Sequence, residues 1–126
     1  MTGYLLDTHV VLWWFDDPRK LSDASRQAIE NAESAVFVSA AAIWEMGIKK
    51  SLGRLDIPSN LSDVLSQDSI RVLNINLHHA LAVADLPMLH HDPFDRMQVA
   101  QAKLENLTLI TRDKDIPQYQ VEWLQA

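Results

Sequence analysis

Short apolar runs alternate along the chain with longer segments whose apolar residues recur at helical spacing. The short runs predict strands over 4–6, 35–38, 70–73 and 107–110, with an edge strand over 121–124. The longer segments predict helices over 22–32, 40–52, 77–84 and 92–106, with shorter helices after residues 7 and 60. We therefore expect an α/β fold, a three-layer α/β/α sandwich with a mainly parallel central sheet.

Residues that start or stop helices mark the ends of these elements. Ser22, Ser39 and Asp92 stand where N-caps are expected, and Pro93 stands at a first helical position. Gly53 follows the segment over 40–52 and is expected to end that helix. A strand followed at once by a capped helix predicts a βα unit at 35–52.

Length and composition narrow the class of protein. A chain of 126 residues with 48% hydrophobic residues is expected to form one domain, spanning 1–126. It has no cysteine, which excludes thiol catalysis, thiolate zinc sites and disulfides. No apolar stretch approaches the roughly 18 residues that suggest a membrane span. We expect a soluble, cytoplasmic protein that makes no membrane contact.

The net charge of -6 bears on nucleic-acid binding. It argues against a protein that binds through a broad basic face, because such binding depends on Lys and Arg neutralising phosphates. A net negative charge is compatible with nucleic-acid binding if several acids form one metal site, since bound divalent cations then supply local positive charge.

Two acids follow predicted strands. Asp7 comes directly after the first apolar run, and Asp113 follows the run over 107–110 after Thr111 and Arg112. Ligands of open parallel sheets bind beyond the carboxyl ends of the strands, so both side chains are expected in the same crevice. Each acid taken alone is also explained by a helix cap or a turn.

Glu45 lies in the predicted helix over 40–52. The apolar residues of this helix that share its spacing predict one inward stripe: Ala41, Trp44, Ile48 and Leu52. Glu45 is expected on that stripe, where an ionised carboxylate needs a partner or a cation because its burial is costly. The alternative is a surface ion pair with Lys49, four residues further on.

Asp92 and Asp95 stand three residues apart at the start of a predicted helix. Asp92 is explained by N-capping, with Pro93 at the first helical position. Asp95 falls in the first turn, where an acid favours the helix dipole and completes a capping box. The residues therefore assign no chemistry to Asp92 and leave the role of Asp95 open.

Several segments together resemble a known family. They are Asp7-Thr8-His9, the segment over 39–45 with Trp44-Glu45, the run over 90–96 that contains Asp-Pro-Phe-Asp-Arg, and Thr111-Arg112-Asp113. In order and spacing they resemble the PIN-domain toxins called VapC across essentially the whole chain. The Asp-Pro-Phe-Asp-Arg segment is the most specific of them.

The resemblance implies a PIN-type sandwich whose acidic pocket holds Mg²⁺ or Mn²⁺. Its implied catalytic and metal-binding residues are Asp7, Glu45, Asp95 and Asp113. Asp115 is the second choice for the last position, because the segment over 111–115 offers two acids. Thr8, Ser39 and Thr111 are implied as neighbouring hydroxyls that orient carboxylates or waters. Carboxylates are also the ligands that Mg²⁺ and Mn²⁺ favour.

The implied activity is an endoribonuclease that hydrolyses RNA phosphodiester bonds, leaves 5′-phosphate and 3′-hydroxyl ends, and acts as the toxin that inhibits translation or growth. The implied partners are a cognate antitoxin, whose C-terminal segment lies near the pocket, and a second copy in a homodimer. An arginine of the antitoxin is expected to be attracted to the acidic pocket. The candidates for contacts with backbone phosphates are the basic side chains Arg96, Arg112, Lys49 and Lys50.

Other functions remain alternatives. They are a stand-alone PIN nuclease and a metal-binding, receiver-like or interaction domain without nuclease activity. A phosphoacceptor receiver needs paired acids after the first strand, where Asp7 stands alone, and an Asp-x-Asp phosphatase needs an acid where His9 stands.

The remaining histidine and aromatic residues are expected to have structural roles or to lie at an interface with another protein. His9 is expected to turn away from Asp7, adjacent histidines such as His90-His91 are not expected to chelate one ion, and Trp13-Trp14-Phe15 is expected in the core or at an interface.

Overall fold

A computed structural model describes residues 2–126. Its strands are β1 (Gly3–Leu6), β2 (Ala35–Ser39), β3 (Ile70–Leu73), β4 (Thr108–Thr111) and β5 (Trp123–Gln125). Its helices are α1 (Thr8–Asp16), α2 (Asp23–Glu30), α3 (Ala40–Ser51), α4 (Leu61–Gln67), α5 (Leu77–Ala84) and α6 (Pro93–Leu104). Two short 3-10 turns lie at Pro18–Lys20 and Ile116–Tyr119. The predicted elements are thus present, with ends that differ by one or two residues.

The strands form one parallel sheet in the order β3-β2-β1-β4-β5. Strand β1 lies at the centre, where Leu6 pairs with Val38 of β2 and with Ile110 of β4. All strands therefore end at the same edge, and the residues after β1, β2 and β4 meet there. The order also differs from the 2-1-3-4-5 order of receiver-type sheets, so the sheet does not have the receiver topology.

Helices cover both faces of the sheet. Because side chains alternate along a strand, Leu5 and Leu6 of β1 enter different apolar clusters. Leu6 packs with residues of α1, α2 and α3, whereas Leu5 packs with α6 and the 3-10 turn before β5. The three-layer α/β/α sandwich predicted above is confirmed. Within residues 2–126, no helix is both long and apolar enough to cross a membrane.

The N-caps of α3 and α6 set where the candidate site residues on these helices lie relative to the sheet. Ser39 caps α3 by accepting from the Ala41 amide at 3.0 Å, and Gly53 follows that helix with φ +71. Asp92 caps α6 by accepting from the amides of Phe94 at 2.8 Å and Asp95 at 3.1 Å. These caps start α3 and α6 at the edge where the strands end.

The predicted inward stripe on α3 is wrong except at Ala41, which is buried. Trp44 and Leu52 are 63% and 59% exposed, while the buried residues of the helix are Ala41, Ala42 and Met46. The hydrophobic spacing is compatible with two faces, and the face with the smaller residues packs on the sheet.

Candidate active site

A cavity of about 410 Å³ opens at the edge where β1 and β4 end. Five carboxylates reach it, together with a hydroxyl, two basic side chains, a histidine and a tryptophan. The lining residues are Asp7, Thr8, His9, Trp13, Glu45, Lys49, Asp92, Asp95, Arg112 and Asp113. The structure therefore brings the four predicted site acids together from widely separated parts of the chain.

Asp7 is the most buried of these carboxylates. One oxygen caps α1 by accepting from the Val10 amide at 3.0 Å, and the other accepts from the Thr111 hydroxyl at 2.6 Å. Burial raises the pKa of Asp7, and the bonds from Thr111 and Val10 oppose that rise. Asp7 is therefore both a helix cap and a candidate catalytic residue. One of its oxygens caps α1, and the other is held by Thr111 at the end of β4.

Glu45 enters from the side of α3. Its Oε1 accepts from the Thr8 hydroxyl at 2.6 Å, and its Oε2 lies 3.3 Å from Lys49 Nζ. The ion pair considered as an alternative is thus present, while the side chain is only 12% exposed. Glu45 is therefore largely buried as predicted, although most of the apolar stripe used to place it is exposed.

Asp95 lies in the first turn of α6, beside the cap residue Asp92. Burial raises the pKa of Asp95 to about 7, with further contributions from the carboxylates of Asp92, Asp7 and Asp113, while His90 lowers it. Asp92 caps as predicted, yet it also lines the cavity. A carboxyl so crowded by other acids favours binding of a proton or a cation.

Asp113 and Asp115 occupy different positions. Asp113 lines the cavity, its amide donates to the Thr111 hydroxyl at 3.0 Å, and its Oδ1 accepts from the Asp115 amide at 2.8 Å. Asp115 is exposed and does not line the cavity. The geometry supports Asp113 over Asp115 as the fourth acid, although Asp115 belongs to a group with His90 and Asp113 whose donor atoms lie within 4.8 Å of one another.

His90 was not expected at the site. Its Nε2 lies 2.9 Å from Asp95 Oδ2 and 3.2 Å from Asp113 Oδ2. Burial disfavours the charged imidazole, but the two carboxylates outweigh it and raise the pKa of His90. His90 and His91 lie in the loop before α6, so the directions expected for adjacent residues of a helix do not hold for them. In the sequence, the feature that could have indicated His90 as a site residue is its position two residues before Asp92-Pro93.

The comparisons with known proteins agree with this architecture. A model of the PIN domain matches residues 4–122. The chain is 32% identical over 117 residues to Ribonuclease VapC22 of Mycobacterium tuberculosis, covering 90% of this chain and 89% of that protein. The chain belongs to the PIN-domain family. Within that family it is of the VapC type.

Solved structures share the fold of this PIN domain. A structure of VapBC2 from Rickettsia felis, bound to a DNA fragment from its promoter, matches with a TM-score of 0.75 at 17% identity and 98% coverage of both chains. A toxin-antitoxin complex from Klebsiella pneumoniae matches with a TM-score of 0.60 at 24% identity, covering 89% of this chain and 88% of that one. At these identities the likeness supports the fold.

The basic side chains of the PIN domain divide into two kinds. Arg96 is buried and donates to the carbonyl oxygens of Pro87 at 2.9 Å and Val83 at 3.0 Å. The expectation that Arg96 contacts phosphates is therefore wrong, because its guanidinium is committed to the backbone. Lys49 and Arg112 line the cavity, whereas Lys50 is exposed outside it.

Arg112 and the aromatic residues of α1 form one edge of the cavity. The Arg112 guanidinium lies 4.4 Å from the centroid of the Trp13 ring and donates to the Ala126 carbonyl at 2.9 Å. His9 also lines the cavity and packs on Trp13, so the expectation that it turns away is wrong. Trp14 and Phe15 are partly buried against the core, as expected.

Proposed function

We propose that this PIN domain is a divalent-metal-dependent endoribonuclease of the toxin type. The observation that carries the proposal is the convergence of Asp7, Glu45, Asp95 and Asp113 on one open cavity. The 32% identical relative is a ribonuclease by name, which supports RNA as the substrate class. Phosphodiester hydrolysis fits a pocket whose main chemical feature is clustered carboxylates.

The donor set suits Mg²⁺ or Mn²⁺. Hard divalent cations take oxygen ligands, and the four site acids offer carboxylate oxygens at one place. The sequence contains no cysteine, so the soft thiolates that favour zinc are missing. A bound divalent cation supplies activation of the attacking water and neutralisation of charge on the phosphate.

The side chains of the cavity hold these carboxylates in fixed directions. Thr111 and the Val10 amide direct the two oxygens of Asp7, and Thr8 directs Glu45. Preorganised ligands avoid the energetic cost of rearrangement when a cation and a substrate bind. Ser39 acts differently from Thr8 and Thr111, because its hydroxyl caps α3 and so positions Glu45 through the helix.

Lys49 and Arg112 are the basic groups placed to contact RNA. Both line the cavity, Lys49 beside Glu45 and Arg112 over the ring of Trp13. Stacking restricts the guanidinium, and its Nε and Nη2 donate to the carbonyls of Ala126 and Lys20, so we infer that Nη1 is the nitrogen that meets a phosphate oxygen. We infer that these two side chains orient the scissile phosphate, while cations compensate for the net charge of -6.

We also infer a cognate antitoxin and a homodimer as partners. One of the matching folds comes from a toxin-antitoxin complex, which supports the antitoxin. Large apolar side chains remain exposed on α3, on α5 and in the loop after α5, among them Trp44, Leu52, Leu77, Leu81 and Met88. Exposed apolar patches of this kind fit protein partners. A basic antitoxin side chain would complement the acidic cavity.

We also propose that the protein acts in the cytoplasm.

The direct test is cleavage by antitoxin-free protein. Structured RNA and matched DNA are incubated with Mg²⁺, with Mn²⁺ and with EDTA, using the wild type and Asp7→Asn. Asparagine keeps the N-cap of α1, so the fold is retained while a ligand oxygen is lost. We expect metal-dependent RNA cleavage that falls about a hundredfold or more in Asp7→Asn.

The control is Asp56→Asn, which changes an exposed carboxyl outside the acidic cavity. This variant should cleave as the wild type does. Cleavage in EDTA, or full activity in Asp7→Asn, contradicts the proposal. Growth arrest on expression, relieved by the small gene expected beside this one, tests the toxin role separately.

A further inference from the structure

His90 stands between two of the site carboxylates. Its Nε2 lies 2.9 Å from Asp95 Oδ2 and 3.2 Å from Asp113 Oδ2, so one ring nitrogen contacts both acids. The side chain is 21% exposed and lies where α6 and the end of β4 approach each other. The imidazole therefore bridges the two carboxylates.

The other ring nitrogen indicates where the proton lies. The Asp92 amide points toward His90 Nδ1 at 3.5 Å, so Nδ1 is placed as the acceptor and Nε2 carries the hydrogen. This N–H donor exists in the neutral tautomer as well as in the imidazolium. Its direction toward the two carboxylates does not depend on the charge of the ring.

Buried groups hold the loop that carries His90. The Tyr119 hydroxyl donates to the His90 carbonyl at 3.3 Å, and Arg96 donates to that hydroxyl at 3.3 Å and to the Pro87 carbonyl at 2.9 Å. Arg96 and Tyr119 are both buried. The imidazole is thus presented from a backbone that is fixed to the core, unlike a freely rotating surface side chain.

We propose that His90 competes with a divalent cation at Asp95 and Asp113, with its Nε2–H directed at the place of a cation shared by the two acids. A divalent ion shared by the two acids would bind carboxylate oxygens toward which the Nε2–H of His90 points, so the ion and this donor would compete for the same place. The positive end of the N–H dipole also repels a cation. His90 must therefore move away before the ion binds both acids, a step that rests on the proposed metal-dependent function.

Direct ligation by His90 predicts the opposite behaviour. A nitrogen ligand strengthens the binding of an ion, and it strengthens the binding of Mn²⁺ more than that of Mg²⁺, because Mg²⁺ is the harder ion and prefers oxygen ligands. Removal of a ligand therefore weakens binding and changes the ratio of the two affinities. Removal of a competing donor tightens binding of both ions and leaves that ratio unchanged.

The experiment is calorimetric titration of Mg²⁺ and of Mn²⁺ into the full chain. The variants are His90→Ala, which deletes the donor, and His90→Gln, which retains an N–H at a similar reach. We expect His90→Ala to bind both ions about tenfold more tightly, since the bond removed is a charge-assisted hydrogen bond. His90→Gln should remain near the wild type.

His91→Ala is the matched control, because His91 is the exposed neighbour and does not line the cavity. Melting temperatures confirm that each variant is folded. Equal or weaker binding by His90→Ala, while the wild type binds, overturns the role of His90 and leaves the nuclease proposal intact. Absence of binding in both the wild type and His90→Ala overturns both proposals.

Discussion

On one side of the acidic cavity, Asp7 and Glu45 each accept a 2.6 Å bond from a threonine hydroxyl. On the other side, Asp95 and Asp113 share the imidazole of His90. We call these the hydroxyl side and the histidine side. The hydroxyl side is held by two neutral hydroxyls that direct its oxygens, with Lys49 beside the second oxygen of Glu45, whereas on the histidine side a single imidazole contacts one oxygen of each acid.

The two sides also differ in what supports them. Asp7, Thr8 and Thr111 lie at the ends of paired strands or at the first residue of a helix, so the sheet itself sets their spacing. His90 lies in a loop whose backbone is held by Arg96 and Tyr119. Regular structure therefore fixes one side, and a buried side-chain network fixes the other.

The largest expected effect breaks the support of the histidine side. Arg96→Leu leaves the carbonyls of Val83 and Pro87 without their donor in a buried region. We expect the free energy of unfolding to fall by about 2–4 kcal/mol, measured by urea denaturation. The control Arg71→Leu removes an exposed arginine of β3 and should cost at most about 0.5 kcal/mol. Equal stability of the two variants would refute this role of Arg96.

A smaller effect tests the hydroxyl side. Thr111→Val keeps the buried shape but removes the 2.6 Å bond to Asp7 and the acceptor for the Asp113 amide. We expect Mn²⁺ affinity to weaken about tenfold to a hundredfold, the range for partners that orient metal ligands. Thr108→Val, at the other end of β4, is the control. Unchanged affinity in Thr111→Val would mean that the hydroxyl does not position Asp7.

The smallest expected effect is the pH dependence of the metal-free protein. The pKa of Asp95 is raised from 3.8 to about 7 by burial, so between these values the folded protein holds a proton that the unfolded chain has lost. Stability from this group therefore falls as pH rises through that window. In EDTA, the melting temperature of Asp95→Asn relative to the wild type should be higher at pH 8 than at pH 5.

The same comparison with Asp56→Asn serves as control, since that carboxyl is exposed. A relative melting temperature of Asp95→Asn that is the same at both pH values would show that Asp95 does not titrate as described.

The two sides of the cavity also differ in how far the sequence predicts them. Asp7 and Asp113 were placed correctly at the cavity because parallel strands end at one edge, a rule that needs only the strand positions. Glu45 was placed by a helical stripe that proved to be exposed, since spacing alone does not say which apolar face packs. Hydrophobic periodicity thus identified the helix and misjudged its orientation.

His90 and Arg96 could not be assigned from local pattern. Their positions depend on contacts with Asp113, Pro87 and Tyr119, which the chain brings together only after folding. The Asp-Pro-Phe-Asp-Arg segment marked the start of α6 correctly but gave no direction for its arginine. Loops and buried polar networks are the parts of the site that sequence periodicity does not encode.

We propose that the hydroxyl side and the histidine side hold one divalent cation between them. The most direct measurement is calorimetric titration of Mn²⁺ into the wild type, Asp7→Asn and Asp95→Asn, each removing one carboxylate from one side. We expect binding by the wild type and at least about tenfold weaker binding by both variants. Wild-type affinity in either variant would contradict the account, because that side would then contribute nothing to the site.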